Sequence, residues 1–193
     1  MVIGITGGVG SGKSRILEIL KEEYGARIIQ ADQVARELEE PGRPGLAALV
    51  EAFGTSILDE EGRLQRDAFA SLIYENPEAL EAVNRIIHPM TWQAIKEQLR
   101  QAQQGLTAVE AALFDEKSRE ICDRLIFVDT SEENRIRRLI EGRGYSREKC
   151  LEIMKNQPGR DDFLRLSDAV LCNDGTVEEV RRQLAGLMEE WDA

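Results

Sequence analysis

Gly7, Gly12, Lys13 and Ser14 fall in the order glycine, four residues, Gly-Lys-Ser, the spacing of a phosphate-binding loop between a strand and a helix. Glycines let backbone N–H groups curl round a polyphosphate without Cβ clashes. The helix that begins near Lys13 aims its positive end at the same anion. Lys13 is placed to reach β/γ-phosphates and the Ser14 hydroxyl to ligate Mg²⁺. A second candidate is Asp32, just past the expected carboxyl end of a strand, where open α/β sheets place their ligands. A phosphotransferase needs a carboxylate facing the γ-phosphate, although Asp32 also suits an N-cap for a helix over 33–39. His88, the only histidine, precedes Pro89. Proline disfavours αR in the residue before it, so His88 is expected at a helix break, as a hydrogen-bonded structural residue.

These residues need elements to hold them. Val2 to Thr6 reads as a strand, and Ile16, Leu17 and Leu20 give the following helix an apolar face that Gly25 ends. Further strands are expected over 26–29, 106–111, 125–130 and 169–172, alternating with helices. That alternation indicates a three-layer α/β fold with a five-stranded parallel sheet. Between the second and third strands, residues of about 41–104 read as an all-helical insertion able to close over a substrate. Asn76-Pro77 starts one of its helices, with a buried stripe of Leu80, Val83, Ile86 and Ile87. A second helix is expected over 90–104. From about 135 to 160, two helices meet at Gly142-Arg143-Gly144-Tyr145 and form a lid that carries one or two arginines to the phosphates. A capping box from Thr176 to Glu179 opens the last helix.

A net charge of −11 over 193 residues makes a poor nucleic-acid binder, which needs clustered cations. No apolar run of 18 residues exists, so no membrane span is expected. The first residues run directly into strand and loop, leaving no room for a cleavable signal. Cys122, Cys150 and Cys172 are widely separated and read as reduced thiols of a cytoplasmic protein, with no metal site and no disulfide. One domain, as a monomer or weak homo-oligomer, fits this length.

Taken together, separated stretches of the chain resemble the dephospho-CoA kinase family. They are Thr-Gly-Gly-Val-Gly-Ser-Gly-Lys-Ser at 6–14, Ala31-Asp32 with Ala35-Arg36 and Glu40-Pro41-Gly42, and Asn84 to Pro89. Arg138, Gln157, Asp168 and Asn173-Asp174-Gly175 complete the series. The resemblance is collinear over essentially the whole chain. It implies a P-loop kinase that phosphorylates the ribose 3′-hydroxyl of dephospho-CoA with ATP and Mg²⁺, the last step of coenzyme A biosynthesis. By the same resemblance, Gly8, Gly10, Ser11, Gly12, Lys13, Ser14, Arg15 and Asn173 bind ATP, with Asn173 bordering the adenine. Asp32 orients or deprotonates the acceptor hydroxyl, Lys13 and Arg138 stabilise the transferring phosphoryl group, and His88 lies at the acceptor site.

The chain departs from the family pattern at Gln30, Arg15, Ala112, Gly142 and Phe163. Two other readings stand beside the first. One is a P-loop kinase acting on another nucleotide or a small alcohol; the other is a nucleotide-binding regulator with little turnover.

Overall fold

The computed structural model describes residues 1–102 and 105–192, without the side chains of Tyr74, Glu75 and Asp192. In chain order the elements begin with β1 (Val2–Thr6), α1 (Lys13–Tyr24), β2 (Arg27–Gln30), α2 (Ala31–Leu38) and α3 (Pro44–Phe53). After a 3-10 turn at Thr55–Ile57 come α4 (Arg66–Glu75), α5 (Pro77–Gln101), β3 (Thr107–Glu110), α6 (Glu116–Arg119) and β4 (Arg124–Asp129). The chain finishes with α7 (Glu132–Arg143), α8 (Arg147–Lys155), α9 (Arg160–Leu166), β5 (Ala169–Cys172) and α10 (Val177–Asp192). Two compact units divide it: Met1–Ile28 with Gln104–Ala193, and Ile29–Gln103. No helix among the described residues is long and apolar enough to cross a membrane.

The sheet has the order β2-β3-β1-β4-β5, and β1 pairs in parallel with β3 and β4. The pairing of Ile5 with Glu110 brings the ends of β1 and β3 level. Ile3 and Ile5 are fully buried, as expected of a parallel sheet covered on both faces. On one face α1 contributes Ile16, Leu17 and Leu20, and α10 contributes Val180 and Leu184. Each such side chain supplies about 1.5–3 kcal/mol of burial, an upper bound because denatured chains are already partly collapsed. Phe163 of α9 is buried and stacks on Phe127 of β4, with centroids 4.9 Å apart and planes 7° off parallel. That packing is the physical reason an aromatic ring occupies this position. Arg119 and Asp168 tie the neighbouring loops together. The guanidinium donates to Asp168 at 2.5 Å and to the Cys122 carbonyl at 2.6 Å, and Asp168 accepts from the Leu125 N–H at 2.6 Å.

Among its described residues, unit Ile29–Gln103 is mainly helical after β2. Leu46, Leu49, Ile57, Leu64, Phe69 and Ile87 form its core. Asn76 caps α5 by accepting from Glu78 and Ala79 at 3.0 and 3.2 Å, with Pro77 in the first turn. Two expectations change here. α5 runs unbroken through Pro89, so His88 sits inside a 25-residue helix rather than at a break. Proline removes one ladder bond, and in the same turn the Thr91 hydroxyl donates to the Ile87 carbonyl at 2.9 Å. Leu80, expected in the buried stripe, is 43% exposed. The expected end of the second helix at Gln104 lies outside the described residues, and α5 ends at Gln101.

Candidate active site

The loop after β1 is built to hold an anion. Gly10 and Gly12 adopt φ of 76° and 87°, a region that costs other residues about 1–2 kcal/mol. Gly12 stands at the N-cap of α1 with no side-chain cap, and the first turn contains no acidic residue. First-turn N–H groups lack acceptors within their own helix. Here Arg15 N–H bonds to the Gly12 carbonyl at 3.0 Å and Ser11 N–H to the Gly8 carbonyl at 3.1 Å. The Ser11 hydroxyl is buried without a hydrogen-bond partner among the described residues, a vacancy that native proteins rarely keep. Ser14 is exposed. The Lys13 ammonium donates to the Gly7 carbonyl at 2.8 Å and lies 3.6 Å from the Glu110 carboxylate. Both of these side chains are largely shielded from solvent, at 15% and 12% exposure.

Three side chains converge on the Ser11 carbonyl: the Thr130 hydroxyl at 2.9 Å, Asn173 Nδ2 at 2.7 Å and Arg138 Nη1 at 3.0 Å. Arg138 also donates to the Asn173 carbonyl at 2.6 Å. Arg138 and Asn173 therefore engage the backbone of the loop. Arg135, one turn earlier on α7, donates from Nε to the Val9 carbonyl at 2.8 Å and from Nη2 to Gln157 Oε1 at 2.9 Å. Burial lowers the Arg135 pKa below the usual arginine value, against the pull of Glu132 and Asp129. Other cations of the expected lid are engaged elsewhere. Arg147 pairs with Glu133 at 2.6 Å, Arg160 with Asp129 at 2.8 Å, and Arg143 lies over the Tyr145 ring. Arg15 pairs with Glu18 at 3.5 Å on an exposed face. α7 continues through Gly142 to Arg143 and ends at Gly144, φ 66°, within the stretch where the break was expected.

In the helical unit, Asp32 is exposed in the first turn of α2, and the N-cap is Gln30. The expectation that Asp32 itself caps that helix is thereby corrected: α2 starts at Ala31, directly after β2, leaving Asp32 one position too late. A carboxylate there still favours the helix dipole. His88 is also exposed, and its Nε2 accepts from the Trp92 indole N–H at 3.1 Å, the rings meeting edge to face. An accepting Nε2 carries no proton, so the neutral ring holds its proton on Nδ1. Pro89 and Met90 line a cleft of about 470 Å³ with Leu38, Pro44, Gln93, Ala94 and Glu97.

Sequence reasoning missed Glu110, Thr130 and Arg135. For Glu110 the signal was present, since it is an acidic residue ending an apolar strand, the same argument that singled out Asp32. Thr130 and Arg135 gave no such signal, because their roles depend on which carbonyl they meet.

A glycine loop after the central strand of a parallel sheet, with Lys13 at the mouth of a helix, defines a P-loop kinase. A family model described as dephospho-CoA kinase matches residues 1–179. The dephospho-CoA kinase of Carboxydothermus hydrogenoformans is 31% identical over 98% of this chain and 94% of its own length. That of Streptomyces avermitilis is 36% identical over 94% and 89%. The chain belongs to the dephospho-CoA kinase family. Among solved structures, TT1252 from Thermus thermophilus superposes with a TM-score of 0.82 at 29% identity, covering 98% of this chain and 97% of that one. The shikimate kinase of Acinetobacter baumannii shares the fold, with a TM-score of 0.57 at 14% identity over 98% and 93%.

Proposed function

We infer that this chain transfers the γ-phosphoryl group of ATP to the ribose 3′-hydroxyl of dephospho-CoA, the final step of coenzyme A biosynthesis. The observation that carries the reading is the anion cradle of Gly10, Gly12, Lys13 and the uncapped start of α1, in a chain of this family. Amides of the loop bind the phosphates of ATP and Lys13 neutralises them. The orphaned Ser11 hydroxyl and the hard oxygens of Ser14 and Glu110 suit a nucleotide carrying Mg²⁺, which keeps most of its waters and takes few protein ligands. When bound, the metal offsets charge on the phosphate oxygens. Arg138 and Asn173 hold the loop through the Ser11 carbonyl. Asp32 accepts the proton of the acceptor hydroxyl or orients it. His88 contributes the Nδ1–H of its ring to the acceptor, beside the cleft at Pro89 and Met90. The expected helical insertion of 41–104 and lid of 135–160 serve the acceptor and nucleotide ends of the reaction respectively. Catalysis of this kind rests on positioning and charge neutralisation.

The test is ADP release with dephospho-CoA as acceptor, for the native protein, Lys13→Ala and Asp32→Asn. Native turnover dependent on the acceptor is expected, with kcat falling by about 10²–10³ in Lys13→Ala, the scale of losing one preorganised charge donor. Absence of acceptor-dependent turnover in the native protein removes this reading.

A further inference from the structure

Val9, the residue between Gly8 and Gly10, is held at its side chain, N–H and carbonyl by the hairpin of α7 and α8 and the segment just after it. Its side chain packs against the cluster of Ile136, Leu139 and Cys150. Its carbonyl accepts from Arg135 Nε at 2.8 Å, and its N–H donates to Gln157 Oε1 at 3.0 Å. Those two side chains are bonded to each other at 2.9 Å, closing a ring of three hydrogen bonds around one residue and the peptide groups on either side of it. The neighbouring glycines fit this arrangement. A Cβ on Gly8 would overlap the Arg135 guanidinium, and one on Gly10 would come 2.8 Å from the Arg135 carbonyl.

We propose that Arg135 and Gln157 are positioning residues of the kinase, which fix the two peptide groups flanking Val9 and thereby hold the phosphate cradle in its binding shape. Neither acts on the phosphates by itself. Gln157 Oε1 has two lone pairs and accepts from both the Val9 N–H and Arg135, so each partner aligns the other. With these peptides pinned, the loop enters the left-handed turns at Gly10 and Gly12 already oriented, and ATP meets donors that need no rearrangement. Without the ring, the loop keeps its glycines and Lys13 but samples shapes in which the donors diverge. The inference rests on the nucleotide half of the proposed function and is independent of the acceptor.

The experiment measures ATP affinity by calorimetry and KM for each substrate, in Arg135→Met, Gln157→Met, their double variant and Gln157→Glu, with an unfolding curve for each. We expect ATP to bind about tenfold more weakly in either Met variant, which is about 1.4 kcal/mol, while the KM of dephospho-CoA stays unchanged. Because the two side chains act as one device, the double variant should lie within about threefold of the weaker single. Gln157→Glu keeps the accepting oxygen and should recover most of the affinity lost in Gln157→Met. Native ATP affinity in Gln157→Met, or multiplicative losses in the double variant, overturns the proposal. So does a lowered unfolding midpoint with unchanged affinity, which marks a structural role. A native protein that binds ATP but does not phosphorylate dephospho-CoA defeats the acceptor assignment and leaves this test intact.

Discussion

Replacing Gly12 or Gly25 by alanine separates two costs that the loop imposes. Both glycines are left-handed, with φ of 87° and 65°, so each substitution pays about 1–2 kcal/mol of backbone strain. Around Gly25 a Cβ meets nothing within 4 Å, whereas at Gly12 it overlaps Asn173 Nδ2 and comes 3.1 Å from Arg138 Nη1. Relieving that overlap pushes the amide off the Ser11 carbonyl, which it reaches at 2.7 Å in a buried site. A buried hydrogen bond lost in this way costs about 1–3 kcal/mol more. Gly12→Ala should therefore destabilise by about 2–5 kcal/mol and Gly25→Ala by about 1–2. Both positions lie in the unit that contains Trp191, which packs on the sheet core. Urea unfolding followed by fluorescence in a Trp92→Phe background reads that unit alone, since the chain has two tryptophans. ATP affinity should collapse in Gly12→Ala and stay native in Gly25→Ala. Adding Asn173→Ala removes the overlapping amide, so in that background Gly12→Ala should cost no more than Gly25→Ala does alone. Equal destabilisation of the two single variants, or no relief from Asn173→Ala, refutes the reasoning.

Other consequences can be checked more quickly. At Asp174, burial opposes ionisation but is outweighed by hydrogen bonds from Asn134 and Ser131 and by the charge of Arg138, which together set the pKa below the usual 3.8. A carboxyl held low stabilises the fold above its unfolded pKa and loses that contribution as pH falls through the folded value. Asp174→Asn should therefore be less stable than native at pH 7, and the gap should shrink as pH falls through the lowered folded value and close once the carboxyl is protonated in both states; a gap that persists in acid excludes this origin. Burial pushes the Cys122 thiol up to about 12, whereas Cys172 is exposed. A thiol reagent at pH 8 should label Cys172 at once and Cys122 only on unfolding, with mass spectrometry locating the label. Nitrogen NMR should show His88 protonated at Nδ1 and bare at Nε2, and Trp92→Phe should let the other tautomer appear. A bare Nδ1 in the native protein rules out the Trp92 bond as drawn.

Local chemistry wrote much of this protein into its sequence. Four glycines and a lysine at fixed spacing specify a strand, a turn and a helix mouth, because few other residues tolerate that backbone. Alternating apolar segments specify a parallel sheet, because each strand must be covered on both faces. Caps such as Asn76 and the Thr176 to Glu179 box are legible since their partners are two or three residues away. At Pro89, however, local preference misled. Pro89 lies within α5 because packing of that helix outweighs one missing ladder bond.

Side-chain assignments across long sequence separations belonged to the tertiary structure. Arg138, expected at the transferring phosphoryl group, donates to the carbonyls of Ser11 and Asn173, contacts that no local pattern announces. Arg135 and Gln157 meet on Val9 across 126 and 148 positions of chain. Glu110 comes to Lys13 because β3 pairs beside β1. A motif names the donors a loop will offer, since that follows from backbone geometry within a few residues. Which side chains hold that loop in shape depends on strand order and helix packing, and neither is encoded within the motif.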